Sequence, residues 1–361
     1  MEKKTSLYDC HIREDGRMVP YAGYILPVQY KTGLITEHMT VREAVGIFDV
    51  SHMGEVIIRG KDALDNIQML VTNDCSTMVD GQVRYSPMCD GMGNVIDDVL
   101  IYKINTKEYL IVVNAANRHK DVEWMKGNVF GDVELSDISD DMALIALQGP
   151  LSKDLLTRIA GPEALPKKYY SFLVNVDISG INCMVSRTGY TGEDGYEIFC
   201  QNKDAVRLWD TLLETGREFG IKPCGLGCRD TLRLEAGMPL YGHEMDDTIS
   251  PLEAGLGFAV KMNKEDFIGK KALLDKGAPK RIRIGLKITG RGIARENCPI
   301  FYDDKEIGRT TSGTHSPYLS YPIAMALVDV DYSDIGRKLL VDVRGRKIEA
   351  EIVPLPFYKK A

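Results

Sequence analysis

Apolar positions along the chain switch between helical and strand spacing without a fixed rhythm. Leu64, Ile67, Leu70 and Val71 recur at helical spacing, whereas residues 142–147 (MALIAL) form a short apolar run typical of a buried strand. A doubly wound parallel sheet would need strands and helices in strict alternation, and this chain lacks that order. The pattern therefore predicts a mixed α+β architecture.

The same pattern predicts the individual elements of the first 280 residues. Helices are predicted where apolar residues share one face, and strands where β-branched and apolar residues cluster. The predicted helices are 36–46, ending at Gly46, the segment from Leu64 to Val71, and 203–218, with Val206, Trp209, Leu212 and Leu213 on one face. The predicted strands are 55–59, 84–88, 95–102, 109–113, 142–147, and a hairpin of 172–178 and 181–187 around Ser179-Gly180.

The pattern changes near Ala278-Pro279. Short strands and glycine turns dominate from Arg281 onward, which is typical of a small β domain. We therefore expect an α+β body over residues 1–280 and a separate β module over residues 281–361.

Charge and composition narrow the functional classes. The net charge is −7, from 45 Lys and Arg against 52 Asp and Glu, so no overall positive field favours nucleic acid. The sequence contains no run of about 18 apolar residues, so no membrane span is expected. Eight cysteines are scattered through a chain with a charged start, which favours reduced thiols in a cytoplasmic protein.

Two adjacent carboxylates, Asp97 and Asp98, lie inside the apolar predicted strand 95–102. Side chains alternate faces along a strand, so the two acids should point in opposite directions, and we expect at least one to be half-buried. One interpretation is a structural pair, with one acid solvated and one bonded to backbone amides. The functional interpretation is a carboxylate held in a cleft beside a cationic reacting group.

A glycine-rich segment, residues 186–197 (SRTGYTGEDGYE), predicts a tight loop between two strands. It presents Tyr190 and, where the next strand starts, Glu197. A glutamate can accept two N–H bonds from the edge of a guanidine-like heterocycle, while a tyrosine covers a flat ring. A solvated hairpin tip is the structural alternative.

Residues 224–237 (CGLGCRDTLRLEAG) predict a glycine turn that leads into a short helix. Asp230 occupies the position where the dinucleotide fingerprint needs its third glycine, so a dinucleotide site is not expected. Arg229 and Arg233 are one helical turn apart, which suits a clamp for carboxylates or phosphates. Ion pairs on a helix surface are the alternative.

Other familiar catalytic patterns fit poorly. Cys224 and Cys228 form the one close cysteine pair, and the histidines lack metal-ligand spacing, so no metal site is expected. Ser51-His52 lacks the surroundings of a hydrolase nucleophile. Tyr85 and Asn114 could be structural hydrogen-bonding residues on neighbouring strands.

Taken in order, many segments of the chain resemble the aminomethyltransferases of the glycine cleavage system. The resemblance covers nearly the whole chain and depends on the spacing of many segments rather than on one motif. These segments are 18–23 (MVPYAG), 48–54 (FDVSHMG), the Asp97-Asp98 strand, 113–115 (VNA), 146–150 (ALQGP), 187–195 (RTGYTGEDG), 225–230 (GLGCRD), 269–273 (GKKAL) and 311–313 (TSG).

The resemblance implies a fold and a reaction. The fold would be a multi-subdomain body around a central channel, with two interwoven subdomains within residues 1–280 and a C-terminal β barrel. The reaction would transfer an aminomethyl group from the lipoyl arm of the H-protein to tetrahydrofolate, releasing ammonia and forming 5,10-methylenetetrahydrofolate. Tetrahydrofolate would be a co-substrate, no metal would be needed, and neither nucleic acid nor a membrane would be a partner.

The resemblance also implies roles for individual residues. Asp98 would be the catalytic carboxylate beside the reacting nitrogen, and Glu197 would anchor the pterin ring. The remaining folate contacts implied are Met53, Tyr85, Asn114, Tyr190 and Arg229. Tyr24 departs from the family, because many members have tryptophan there, and this bears on packing rather than on chemistry.

Two related functions compete with this interpretation. The folate-binding half of a sarcosine or dimethylglycine oxidase would accompany a flavin domain with a Rossmann fingerprint, which the sequence does not show. The main alternative is a non-enzymatic folate-binding protein of the same superfamily that acts in iron–sulfur assembly. Asp98, Glu197 and Arg229 together favour catalysis.

Overall fold

A computed structural model describes residues 2–360 of the chain. Helices and strands are mixed along it, and no helix in this range is both long and apolar enough to cross a bilayer. The helices are α1 (Tyr8–Arg13), α2 (Leu34–Glu43), α3 (Ala63–Leu70), α4 (Arg118–Asn128), α5 (Ser152–Ala160), α6 (Ala205–Gly216), α7 (Leu226–Glu235) and α8 (Lys270–Lys276).

Between residues 2 and 360, the strands form four sheets. The strands are β1 (Arg17–Tyr21), β2 (Tyr24–Gln29), β3 (Gly46–Asp49), β4 (Gly54–Gly60), β5 (Val83–Cys89), β6 (Val95–Asn105), β7 (Glu108–Val113), β8 (Val133–Asp137), β9 (Met142–Gln148), β10 (Phe172–Ile178), β11 (Ile181–Ser186), β12 (Gly195–Gln201), β13 (Lys222–Pro223), β14 (Arg281–Ile288), β15 (Pro299–Tyr302), β16 (Lys305–His315), β17 (Pro322–Asp329), β18 (Lys338–Val343) and β19 (Arg346–Val353). The sheet orders are β1-β2, β10-β11-β12-β9-β3-β13, β5-β6-β7-β4-β8 and the closed barrel β14-β17-β16-β15-β18-β19.

Two compact units divide the chain, and neither is continuous in sequence. Unit 1 comprises the chain up to Gln68 together with Cys75–Tyr85 and Val99–Arg229. Unit 2 comprises Met69–Asp74, Ser86–Asp98 and the chain from Asp230 onward. Strands β5 and β6 and helix α7 therefore each begin in one unit and end in the other. The domain boundary expected near residue 280 stays a prediction.

The core of unit 1 forms around strand β9. This strand pairs antiparallel with both β12 and β3, and six of its seven residues are buried. Helices α5 and α6 supply Leu155, Leu208 and Trp209 to the same apolar cluster as Ile145 and Ile198. Each of these side chains contributes roughly 1.5–3 kcal/mol on burial, so the strands that carry the 187–195 loop are firmly anchored.

The barrel in unit 2 follows the two-residue period of strands. On β17, Ala324, Ala326 and Val328 belong to the barrel core cluster. The intervening Ile323 and Met325 instead cluster with Leu234 of α7. The last turn of α7 therefore packs against the outside of the barrel, within unit 2.

The α+β class with a C-terminal barrel is confirmed, and so is the hairpin between β10 and β11. Ser179 and Gly180 have φ values of 53° and 77°, as a two-residue turn with both central residues left-handed requires. Glycine adopts such angles at little cost, and Asp177 Oδ1 accepts the Gly180 N–H at 3.0 Å.

Two predicted details were wrong. Helix α2 ends at Glu43 rather than Gly46, because Ala44 leaves the helical conformation and Gly46 starts β3. On α6, Trp209 and Leu212 are buried as predicted, but Val206 is 41% exposed and Leu213 is only half-buried, and Leu208 belongs to the buried face. This face starts at Ala205, one position earlier than predicted.

Candidate functional site

Glu197 is a buried carboxylate in unit 1. It lies on β12, and its neighbours on that strand, Tyr196 and Ile198, are buried apolar residues. Thr188 Oγ1 donates a hydrogen bond to Glu197 Oε2 at 2.5 Å, and among residues 2–360 Thr188 is its hydrogen-bond donor. Burial raises the pKa of Glu197, and the Thr188 bond and the charge of Arg229 offset part of this rise. The second oxygen, Oε1, is therefore available to a donor from a ligand.

Arg229 and Tyr190 form a stacked pair beside this carboxylate. Arg229 comes from the first turn of α7, and Tyr190 from the loop between β11 and β12. The guanidinium carbon lies 4.8 Å from the centre of the tyrosine ring, within the range of a cation–π contact. Both side chains are half-buried, so each keeps a surface that a ligand can reach.

His52 is a further buried polar group near Arg229, which sequence reasoning had set aside. Its ring is approached edge-on by Tyr21 at 5.8 Å and Tyr24 at 6.4 Å. In the described part of the chain, Nδ1 has no hydrogen-bond partner. Burial, reinforced by the charge of Arg229, lowers the pKa of His52 to about 4, so the ring is neutral at pH 7. The one feature of the sequence that could have indicated a role for His52 is its position in the 48–54 segment, which resembles the family.

A buried network fixes the turn before His52. Asp49 Oδ2 accepts hydrogen bonds from Thr5 at 2.6 Å and from His11 Nε2 at 2.9 Å, and Oδ1 accepts the Ser51 N–H. Tyr30 contacts the other ring nitrogen of His11 at 2.8 Å. Burial alone would raise the pKa of Asp49, but these bonds more than offset it and lower the pKa. The carboxylate therefore stays charged and holds the turn in place.

The Ser51 hydroxyl is bonded to the backbone of Leu144. Its hydroxyl donates to the Leu144 carbonyl at 3.2 Å and accepts the Leu144 N–H at 3.0 Å. The Ser51-His52 dipeptide is thus a structural corner next to the site.

Asp97 and Asp98 occupy the unit 2 portion of β6. Asp97 is fully buried, whereas Asp98 is half-buried. The different exposure of successive residues is what the alternation of faces in a strand requires. Asp98 therefore has the restricted solvent access that the functional interpretation needs.

Three further predicted contacts lie in unit 1. Tyr85 is on β5, Asn114 follows β7, and Met53 closes the turn before β4. All three side chains are half-buried. Their contact with a substrate stays a prediction.

The suggestion that Arg229 and Arg233 together bind an anion was wrong, because Arg233 is buried and its guanidinium is bonded to protein groups of unit 2. Its guanidinium donates to Glu244 Oε2 at 2.8 Å, to Ser312 Oγ at 2.7 Å and to Asp230 Oδ1 at 2.9 Å. Thr311 adds a 2.6 Å bond to Glu244. Arg233 therefore ties α7 to strand β16, and Arg229 is the arginine of the pair that remains for a ligand.

The cysteine pair also has a structural explanation. Cys224 and Cys228 are buried free thiols, and burial raises the pKa of Cys228, as does its hydrogen bond with Cys224. Over residues 2–360, no group of three or more His, Cys, Asp or Glu side chains is placed to hold a metal ion.

Comparisons with known proteins cover the full length of the chain. The profile described as the GCVT N-terminal domain matches residues 7–264, and the glycine cleavage T-protein C-terminal barrel domain matches residues 281–359. An aminomethyltransferase of Geobacillus sp. (strain WCH70) is 46% identical over 365 residues, covering 100% of both chains. One from Bacillus mycoides is 45% identical over 363 residues, covering 99% of each.

A solved structure is similar over the same span. It is the glycine cleavage system aminomethyltransferase T from Bartonella henselae, with 30% identity, a TM-score of 0.92 and 99% coverage of both chains.

Proposed function

Since the chain belongs to the glycine cleavage T-protein family and is an aminomethyltransferase, we propose that its acceptor is tetrahydrofolate and its donor is the aminomethyl-loaded lipoyl arm of the H-protein. The cytoplasm is the proposed location. The full-length similarity to enzymes disfavours a non-enzymatic role in iron–sulfur assembly.

The proposed reaction exchanges two bonds of the methylene carbon. Its bonds to the lipoyl sulfur and to the amino nitrogen break, and bonds to two folate nitrogens form. The two protons lost by the folate nitrogens end on the sulfur and on the departing ammonia. The protein has to hold the folate close to the carbon and stabilise a cationic, iminium-like state.

Glu197 is the proposed anchor of the pterin ring. A buried carboxylate with one oxygen bonded to Thr188 can accept N–H bonds from the amino-pyrimidine edge. Leaving those ring donors unpaired would cost free energy, so the anchor also selects the ligand. This buried carboxylate is the observation that best supports a folate as co-substrate.

Arg229 and Tyr190 are the proposed flanking contacts. Their stacked pair offers a flat aromatic face and a positive charge next to Glu197. A planar heterocycle with anionic carboxylates at its far end suits both features. Met53, Tyr85 and Asn114 are proposed to contact the same ligand.

Asp98 is the proposed catalytic residue. An ordinary aspartate has a pKa of about 3.9 and is a carboxylate at neutral pH. A half-buried negative charge stabilises a neighbouring cation more strongly than an exposed one does. The proposal for Asp98 depends on this chemistry and on the family resemblance.

The direct test is a reaction of the full chain with aminomethyl-loaded H-protein, with and without tetrahydrofolate. We expect ammonia and 5,10-methylenetetrahydrofolate to appear in equal amounts when folate is present. Ammonia release that is independent of tetrahydrofolate, together with no binding of tetrahydrofolate by calorimetry, would contradict the proposed acceptor.

A further inference from the structure

Helix α2 in unit 1 buries charged residues and exposes an apolar one. Glu37 and Arg42 are buried, whereas Ile35 is 67% exposed. Burying a charge costs free energy unless specific partners compensate for it. Apolar packing through Val41 alone therefore does not account for the helix, and the partners of its two charged residues indicate a further role.

Glu37 holds the start of α7. Its Oε2 accepts the Gly225 N–H at 2.9 Å, and its Oε1 accepts the Tyr30 N–H at 2.6 Å. Gly225 packs so tightly that an added Cβ would lie 2.5 Å from the Val28 carbonyl. The Gly225 carbonyl in turn accepts the Arg229 N–H at 3.0 Å. Two consecutive hydrogen bonds thus connect the Glu37 carboxylate to the backbone of Arg229.

Arg42 holds the loop that carries Tyr190. Its Nη1 donates to the Thr191 carbonyl at 2.8 Å and to Glu193 Oε1 at 2.9 Å. The side chain of Arg42 is 0% exposed and that of Glu193 is 2% exposed, so this ion pair is shielded from solvent. The loop is thereby fixed at the residues directly after Tyr190.

The start of α7 and the loop between β11 and β12, both bonded to α2, contact each other through Arg229 and Tyr190. Arg229, reached through Glu37, lies 4.8 Å from the ring of Tyr190, which is reached through Arg42. We infer that Glu37 and Arg42 are positioning residues of the folate site, and that α2 sets the spacing of Arg229 and Tyr190 through them. This inference rests on the proposed function of those two contacts.

The first test replaces Glu37 by glutamine, whose side chain has one acceptor for two N–H groups. We expect Glu37→Gln to weaken tetrahydrofolate binding roughly tenfold by calorimetry. The turnover rate at saturating folate should change by less than about twofold, because the lost interaction serves binding. Glu43→Gln is the matched control, since Glu43 is exposed on the same helix, and it should leave the affinity unchanged.

A double-mutant cycle separates positioning from general stability. If Glu37 acts through Arg229, then Glu37→Gln should weaken binding no further in an Arg229→Ala background. Arg42→Lys should likewise have no further effect in a Tyr190→Ala background. Independent, additive losses in both cycles would overturn the inference, and so would failure of both Glu37→Gln and Arg42→Lys to fold.

The controls also distinguish this inference from the proposed function. If the wild-type protein does not bind tetrahydrofolate, the proposed function fails. If the wild type binds and Arg229→Ala weakens binding, the function stands, and the cycles alone decide whether α2 positions the site.

Discussion

At the scale of single residues, the candidate site contains two buried groups with few hydrogen-bond partners. Within the described chain, Glu197 has one hydrogen-bond donor and the Nδ1 of His52 has no partner. The charge of Arg229 acts to lower the pKa of both side chains. Buried groups with unmet hydrogen-bonding capacity are costly in a protein without a ligand. Their protonation therefore gives two measurable predictions.

Glu197 should make tetrahydrofolate binding sensitive to acid. Its pKa is raised by burial, so it takes up a proton at a higher pH than an exposed glutamate. The neutral form is a weaker acceptor, and affinity should fall as pH decreases through this raised pKa. Glu197→Gln should weaken binding at pH 7 by about 30-fold or more and flatten the pH dependence. Calorimetry from pH 5 to 8 measures this, with exposed Glu163→Gln as the control.

His52 should make the folded protein less stable in acid. Its pKa is about 4 in the folded protein and about 6.5 when unfolded, so between these values the unfolded chain binds more protons. Stability therefore rises with pH in this window and is lost as pH falls through it. The expected loss at pH 5 relative to pH 7 is about 2 kcal/mol.

Urea denaturation at the two pH values, comparing the wild type with His52→Gln, isolates this contribution. The variant should lose most of the difference, while exposed His119→Gln should retain it. An unchanged acid sensitivity in His52→Gln would contradict this, because it would mean that His52 has the same pKa in the folded and unfolded chains.

At the scale of elements, α7 has two roles along its ten residues. Its first turn carries Arg229, and its last turn anchors to the barrel through Arg233, Glu244 and Ser312. The sequence predicted the helix and its glycine turn. The sequence could not show that Arg233 has a structural role and Arg229 does not, because the partners of Arg233 lie 11 and 79 positions further along the chain.

Removing one partner of this anchor should be costly. Arg233→Met leaves Glu244 buried without its counter-charge, and we expect a loss of about 3–5 kcal/mol in the free energy of unfolding of unit 2. Adding Glu244→Gln should restore part of it, because the unpaired charge is then removed. Urea titration measures both variants, with exposed Arg291→Met as the control. Equal stability of Arg233→Met and the wild type would contradict the anchor.

The sequence predicted most elements but missed the connections that hold the site. Strands β7 and β9 and the β10–β11 hairpin follow from local apolar patterns and turn residues. Glu37 and Arg42 lie in the predicted helix 36–46, but nothing in the sequence marked them as buried or as functional. Their partners Gly225 and Glu193 lie 188 and 151 positions away, and no local pattern encodes such pairs.

At the scale of the whole molecule, the chain forms two units, and each unit consists of several segments that are separated in sequence. The segments 69–74 and 86–98 leave the first unit and join the second, so Asp98 and Glu197 belong to different units. A linear division of the sequence cannot show this. The family resemblance, in contrast, depends on the order of segments along the chain, and it identified the aminomethyltransferase family that the full-length matches confirm.

The central claim is that Asp98 supplies the negative charge on which aminomethyl transfer depends. The most direct measurement is the single-turnover rate of ammonia release from aminomethyl-loaded H-protein by Asp98→Asn at saturating tetrahydrofolate. We predict a rate reduced by on the order of 100-fold or more, with tetrahydrofolate affinity close to that of the wild type. A wild-type rate in Asp98→Asn would contradict the claim.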